Sequence, residues 1–296
     1  MINLLVIVLE QALLHLPFII GSYISFSLLK VPDLSIESAY VCGAVMASRV
    51  LVCMPHLSIA SSLFLVLVAA MIGGVIVGFI SSLLTQYGRF PHLLSSIVAT
   101  GLFQGINLYL SPVYLSLAPF NNPLACCNLI QYHPELCMVG IVSLMIVLGI
   151  SLLLATQLGY SFGVYGNNPQ FFNHYGISTP FVFITGIVIA NGLGGLSGYL
   201  FAQSNNFVEL GMGTGKSLLG LSALILGKGI IRSGSSYSLR VPLVGTGIYF
   251  LMQQLLLKIG FDLKYFTAVQ ALIILCILFY SYRSRSRRFP HSSMGV

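Results

Sequence analysis

An all-α polytopic membrane bundle is the fold the sequence predicts, and three observations carry the prediction. Apolar runs recur along almost the whole 296-residue chain. Hydrophobic residues make up 57% of it and charged residues only 6%. Mean hydropathy is +0.96, which leaves no room for a sizeable water-soluble domain beside the helices. A bilayer core about 30 Å thick asks for roughly 20 apolar residues per spanning helix, and runs of that order recur here.

About nine segments, between eight and ten, follow from the pattern. The first, 2–29, carries Glu10 and His15 and is long for one crossing, so a tilt or a break is expected. It lacks the basic start and small-residue cleavage site of a signal peptide and reads as a retained helix. The second, 35–54, follows Pro32 and opens on polar residues, as a full or partial span would. Then come 57–84, 91–110, 136–158, 180–202, 215–231, 241–259 and 265–282. Together they form one membrane domain over 1–282, with a basic tail over 283–296. The longest stretch outside them, 111–134, is a loop rather than a domain. Glycine pairs four residues apart (Gly74 and Gly78, Gly194 and Gly198, Gly211 and Gly215) let helix backbones approach closely. Packing within the chain is the favoured use of these pairs, ahead of a dimer face.

The net charge of +7 does not point to nucleic acid. Arg283, Arg285, Arg287 and Arg288 supply over half of it just past the last apolar run, a signal that holds this end in the cytoplasm. With nine crossings, Lys30, Arg89, the stretch 232–240 and the loop 159–179 share the cytoplasmic side. The cysteines carry no C-x-x-C pair, so metal and redox roles are not supported. Cys42, Cys53 and Cys276 lie in apolar runs, and either Cys126 or Cys127 could pair with Cys137.

Two chemistries fail. Residues 211–217, reading GMGTGKS, resemble a phosphate-binding loop, but the pattern needs glycine where Leu210 stands. The histidines His15, His56, His92, His133, His174 and His291 are scattered, no G-x-S-x-G elbow occurs, and six acidic residues leave little for general acid–base work. Neither catalytic nor metal-ligating residues are expected, and no cofactor.

Two polar stretches carry more. From Val31 to Ser38, Pro32 disfavours a continuous helix, and Asp33 or Ser35 could accept the free N–H groups of the next one. From Gly166 to Ile177 the chain reads as a turn, then a short helix opening at Pro169 and closed by Gly176. A short amphipathic helix of this kind suits docking on a soluble partner. Polar residues inside spans are costly and face a cavity or a partner. Asp33, Ser35, Glu37, Gln104, Asn107, Asn191 and Gln203 are therefore candidates to line a solute pathway, with interhelical hydrogen bonding as the alternative.

The ordered motifs resemble a family. Gly166, Asn167, Asn168 and Pro169 through Gly176 and Ile177 look like the G-x-N-P…G-I cytoplasmic loop of ATP-binding cassette (ABC) importer permeases of the branched-chain amino acid/ribose type. Pro32 to Ser35 with Gly43 and Ala44 resemble that family's signature near the second segment, and Asn107, Asn122 to Leu124, Asn191 to Gly198, Gly211 to Gly213 and Asp262 to Lys264 match a smaller branch predicted to carry tryptophan or other amino acids. The resemblance implies a permease subunit in a bacterial inner membrane, its C-terminus cytoplasmic. Its implied partners are a second permease copy (a homodimer), a cytoplasmic ATPase dimer and an extracytoplasmic solute-binding protein. ATP would be hydrolysed by the partner, and the solute would be small and amino acid-like. Two departures stand out: Lys228 where the branch has glutamate, and Glu37 to Ala39 in place of an Asp-Gly-Ser-like stretch. An ion-coupled secondary transporter, needing a relay among Glu10, Asp33 and Glu37, is the runner-up, and an intramembrane enzyme comes third.

Overall fold

The structure, a computed structural model, describes residues 2–54, 59–120, 124, 134–174, 178–231, 238–260, 265, 268, 270–272 and 275. Helix α1 (Ile2–Ser22) passes without a gap into a π-helical turn, Tyr23–Leu28. The long first run is thus resolved by a change of helix type, with Pro17 inside α1. After a connector come α2 (Ser35–Cys53), α3 (Ile59–Gln86) and α4 (His92–Leu110). A short strand β1 (Tyr114–Ser116) precedes α5 (Pro134–Ala155), α6 (Gln157–Asn167) and α7 (Phe171–His174). Helix α8 (Thr179–Asn205), strand β2 (Phe207–Glu209), α9 (Lys216–Ile230) and α10 (Arg240–Lys258) follow.

Six helical stretches among the described residues are long and apolar enough to cross a membrane: Leu4–Leu28, Ser35–Cys53, Ser61–Gln86, His92–Leu110, Glu135–Ala155 and Thr179–Asn205. The fold is helical and polytopic, as expected from the sequence. The run 265–282 lies largely outside the described residues, as does the whole arginine tail.

Lipid supplies no hydrophobic drive between helices, so backbone proximity does the work. Helices α2, α3 and α8 pack most extensively on one another, and glycine sits at each crossing. A Cβ at Gly43 would run into the Gly195 backbone, one at Gly195 into Ala70 and Gly74, and one at Gly198 into Tyr40. Gly74 and Gly78 lie against Asn191 and Ile187 in the same way. The expected pairs at 74/78 and 194/198 therefore pack inside the chain. The pair at 211/215 does not: it belongs to a turn, and Gly215 has φ +79°.

Helix directions follow from the contacts. Ser197 Oγ donates to the Leu14 carbonyl at 2.7 Å, while Gly21 sits against Ala190, so α1 and α8 run antiparallel. Lys216 of α9 reaches His15 and Gly220 abuts Ser22 and Phe18, so α9 runs parallel to α1. Two features were not legible in the helical pattern. Strands β1 and β2 form an antiparallel ribbon, Tyr114 opposite Glu209 and Ser116 opposite Phe207, tying the 111–134 loop to the end of α8. Arg49 Nε donates to the Leu110 carbonyl, clamping the ends of α2 and α4 together.

Candidate functional site

Beside the ribbon, α2, α4 and the turn 210–214 line a small, half-open cleft. Its polar lining is Glu37, Ser38, Thr100, Gln104, Asn107 and Thr214. On α4, Thr100, Gln104 and Asn107 stand four and three residues apart, the spacing that puts side chains on one helical face. Glu37 projects from the first turn of α2, and its Oε1 accepts the Ser217 N–H at 2.9 Å, capping the start of α9. Gly213 permits this closeness, because a Cβ there would lie 2.5 Å from the Glu37 carbonyl oxygen.

Three sequence candidates, Glu37, Gln104 and Asn107, thus meet in one cleft. Three others meet elsewhere. Ser35 N–H and Oγ both donate to Asp33 Oδ1, at 2.9 and 2.6 Å. Asn191 Nδ2 donates to Asp33 Oδ2 at 2.8 Å, and Ser35 Oγ also reaches Asn191 Oδ1 at 3.1 Å. All three residues are buried, so the group ties the connector before α2 to the middle of α8. Burial pushes the Asp33 carboxyl above its usual range, against the pull of the hydrogen bonds from Ser35 and Asn191. The positive end of α2 is satisfied by the chain's own aspartate. Gln203, also fully buried, stands apart with both amide atoms unpaired among the described residues.

Lys216, the residue that mimics a nucleotide-binding lysine, points into the bundle. Its Nζ lies 2.9 Å from His15 Nε2, 4.6 Å from the Phe201 ring centre and 5.3 Å from that of Tyr40. Since His15 Nδ1 lies 3.0 Å from the Gln11 carbonyl, the consistent tautomer donates there and accepts from Lys216. Lys216→Ala is expected to leave ATP affinity of an assembled complex unchanged while lowering its melting temperature. A nucleotide titration and a thermal melt check both, and weakened ATP binding would revive the phosphate-loop reading.

The stretch 166–177 is described in part. Gly166 and Asn167 close α6 rather than forming a turn, and α7 begins at Phe171, not at Pro169. Asn168 caps α6, its Oδ1 accepting the Gln170 N–H at 3.2 Å. Pro169 follows in the turn, exposed, while Gly176 and Ile177 lie outside the described residues. Lys30 Nζ donates to Asn167 Oδ1 at 2.6 Å, and a Cβ on Gly166 would strike the Leu28 carbonyl. Lys228 sits within electrostatic reach of Lys30 at this same end.

Sequence reading missed Ser38, Thr100 and Thr214 as lining residues. The spacing of Thr100 with Gln104 and Asn107 was the signal available for one of them. Among the described residues no group of three His, Cys, Asp or Glu side chains could hold a metal ion.

A helical bundle of apolar, membrane-length segments with a polar cleft beside the ribbon is in keeping with a permease. The sequence pattern of the branched-chain amino acid transport system permease component matches residues 5–278, and the chain belongs to that family. An uncharacterized protein of Rickettsia prowazekii (strain Madrid E) is 31% identical over 88% of this chain and 91% of its own length. A tyrosine transport system permease protein of Clostridioides difficile is 27% identical over 88% and 87%. An autoinducer 2 import system permease protein of Salmonella typhimurium is 27% identical over 62% of this chain and 52% of the relative. No solved structure matches the chain. The protein is the permease subunit of an ABC importer, a multi-pass inner-membrane protein, not an enzyme, and ATP is used by a partner ATPase.

Proposed function

We propose that the cleft between α2, α4 and the 210–214 turn is a station on the solute's path, and that the stretch 166–177 is where the ATPase docks. One observation carries the first part. Glu37, Gln104 and Asn107, each singled out as a polar residue in an apolar run, converge on one cleft. The solute is small and amino acid-like, in keeping with the tyrosine permease relative.

A short path of hydrogen bonds and backbone supports the coupling. Asn167 is held by Lys30, which leads through Pro32 to the Asp33–Ser35–Asn191 group and on to Glu37 at the cleft. Displacing the docking stretch moves Lys30, and the connector transmits that motion to the lining of the cleft. In this reading the membrane is crossed about nine times. The end carrying Lys30, Asn167 and the arginine tail is cytoplasmic, and a solute-binding protein approaches from the β-ribbon end. A second copy completes the pathway as a homodimer, and the whole of 1–282 acts as one domain.

The test is a charge placed at the docking contact. Asn168→Asp keeps the oxygen that accepts the Gln170 N–H, so the chain is expected to insert and fold. An unpaired charge buried at an interface is costly, and ATPase association should weaken about tenfold or more. Co-purification with the ATPase and ATP-driven uptake decide the matter. Wild-type association and uptake would reduce the stretch to a connector.

A further inference from the structure

The charges around the cleft say more about its occupant. Glu37 is the one charged residue in the lining, and no lysine, arginine or histidine accompanies it. One carboxylate oxygen is held by the Ser217 N–H, and the other has no partner among the described residues. Asn107 is 1% exposed, lines the same cleft, and its Oδ1 is an acceptor without a partner among the described residues. Ser38, Thr100 and Thr214 add hydroxyls that can accept. A buried acceptor left unpaired is costly, so this arrangement asks for a donor.

We propose that the cleft selects a solute of net positive charge, held by a protonated amine between the Glu37 carboxylate and Asn107 Oδ1, and that these two residues set specificity. A protonated amine offers several donors and no acceptor, which complements what the lining presents. An anionic group would face Glu37 with no cation to neutralise it, a like-charge contact in a partly dry site. This deepens the pathway reading above and rests on it.

The test uses three probes built on one phenol ring: tyramine (cationic), L-tyrosine (zwitterionic) and 3-(4-hydroxyphenyl)propionate (anionic). Equilibrium dialysis against the purified permease–ATPase complex bypasses selection by the binding protein. Retention should fall in the order tyramine, tyrosine, propionate. Glu37→Gln keeps an oxygen for the Ser217 N–H, so the fold is preserved, and tyramine binding should weaken about tenfold or more through loss of the charge-assisted hydrogen bond. Gln104→Lys, at an exposed position of the lining, should invert the order. A complex that assembles and hydrolyses ATP yet holds the three probes equally, or holds tyramine equally after Glu37→Gln, overturns this proposal and leaves the permease assignment standing. Failure of the chain to associate with any ATPase would overturn the pathway reading, and this one with it.

Discussion

Gly195→Val should be among the most damaging single substitutions in the bundle. At this point α8 lies against α3, with Ala70 and Gly74 in the way of any Cβ, and against Gly43 of α2. The blocking atoms are backbone, which cannot swing aside as a long side chain can. Overpacking costs typically 1–3 kcal/mol, and a Cβ driven into the backbone of a neighbouring helix belongs at about 3 kcal/mol or beyond. Little folded chain is expected after detergent extraction, read by monodispersity and thermal melting. Gly101→Ala, on the exposed side of α4 with no heavy atom within 4 Å, is the control and should melt like the parent. Equal behaviour of the two variants would show that α2, α3 and α8 do not depend on backbone contact.

Asn191→Leu should come next. It strips Asp33 Oδ2 of its donor and Ser35 of an acceptor while leaving the carboxyl buried. Orphaning a buried charged group costs roughly 3 kcal/mol. Adding Asp33→Asn should recover part of the loss, because the charge is gone; purely additive losses would mean the two side chains act independently. The pH dependence has a definite sign. Burial holds the Asp33 carboxyl above its ordinary range, so the folded state retains the proton longer than the unfolded chain does. Stability therefore falls as pH rises from the ordinary carboxyl range through the raised one. Without Asn191 one of the opposing donors is lost, the carboxyl moves further up, and the falling window widens. The deficit of Asn191→Leu should shrink as pH is lowered toward the ordinary carboxyl range, and a deficit independent of pH would assign it to packing alone.

Much of the site was legible because polarity inside an apolar run is a local property. Asp33, Ser35, Glu37, Gln104, Asn107 and Asn191 stood out against their neighbours, and all six take part in a cleft or a buried hydrogen-bond group. Their division into two sets was not legible. Asp33 and Asn191 are 158 residues apart, and only the crossing of α2 with α8 brings them into contact. Glu37 lies two residues from Ser35 yet faces the cleft, because it caps α9 across a 180-residue separation. Lys216 reads as a phosphate lysine in a short window, and its true neighbours, His15 and two aromatic rings, come from α1, α2 and α8.

Run length and the scarcity of charge were enough to establish a helical membrane protein, since the bilayer imposes both on any chain that crosses it. Ordered short motifs were enough to point to an importer permease. Three-dimensional packing alone settled which polar groups share a cavity, that β1 pairs with β2, and that the phosphate-loop mimic opens α9 under a cap from Glu37. Those outcomes turn on backbone approaches at Gly43, Gly195 and Gly198. Whether two helices can come that close depends on both partners at once, and no local window of sequence contains both.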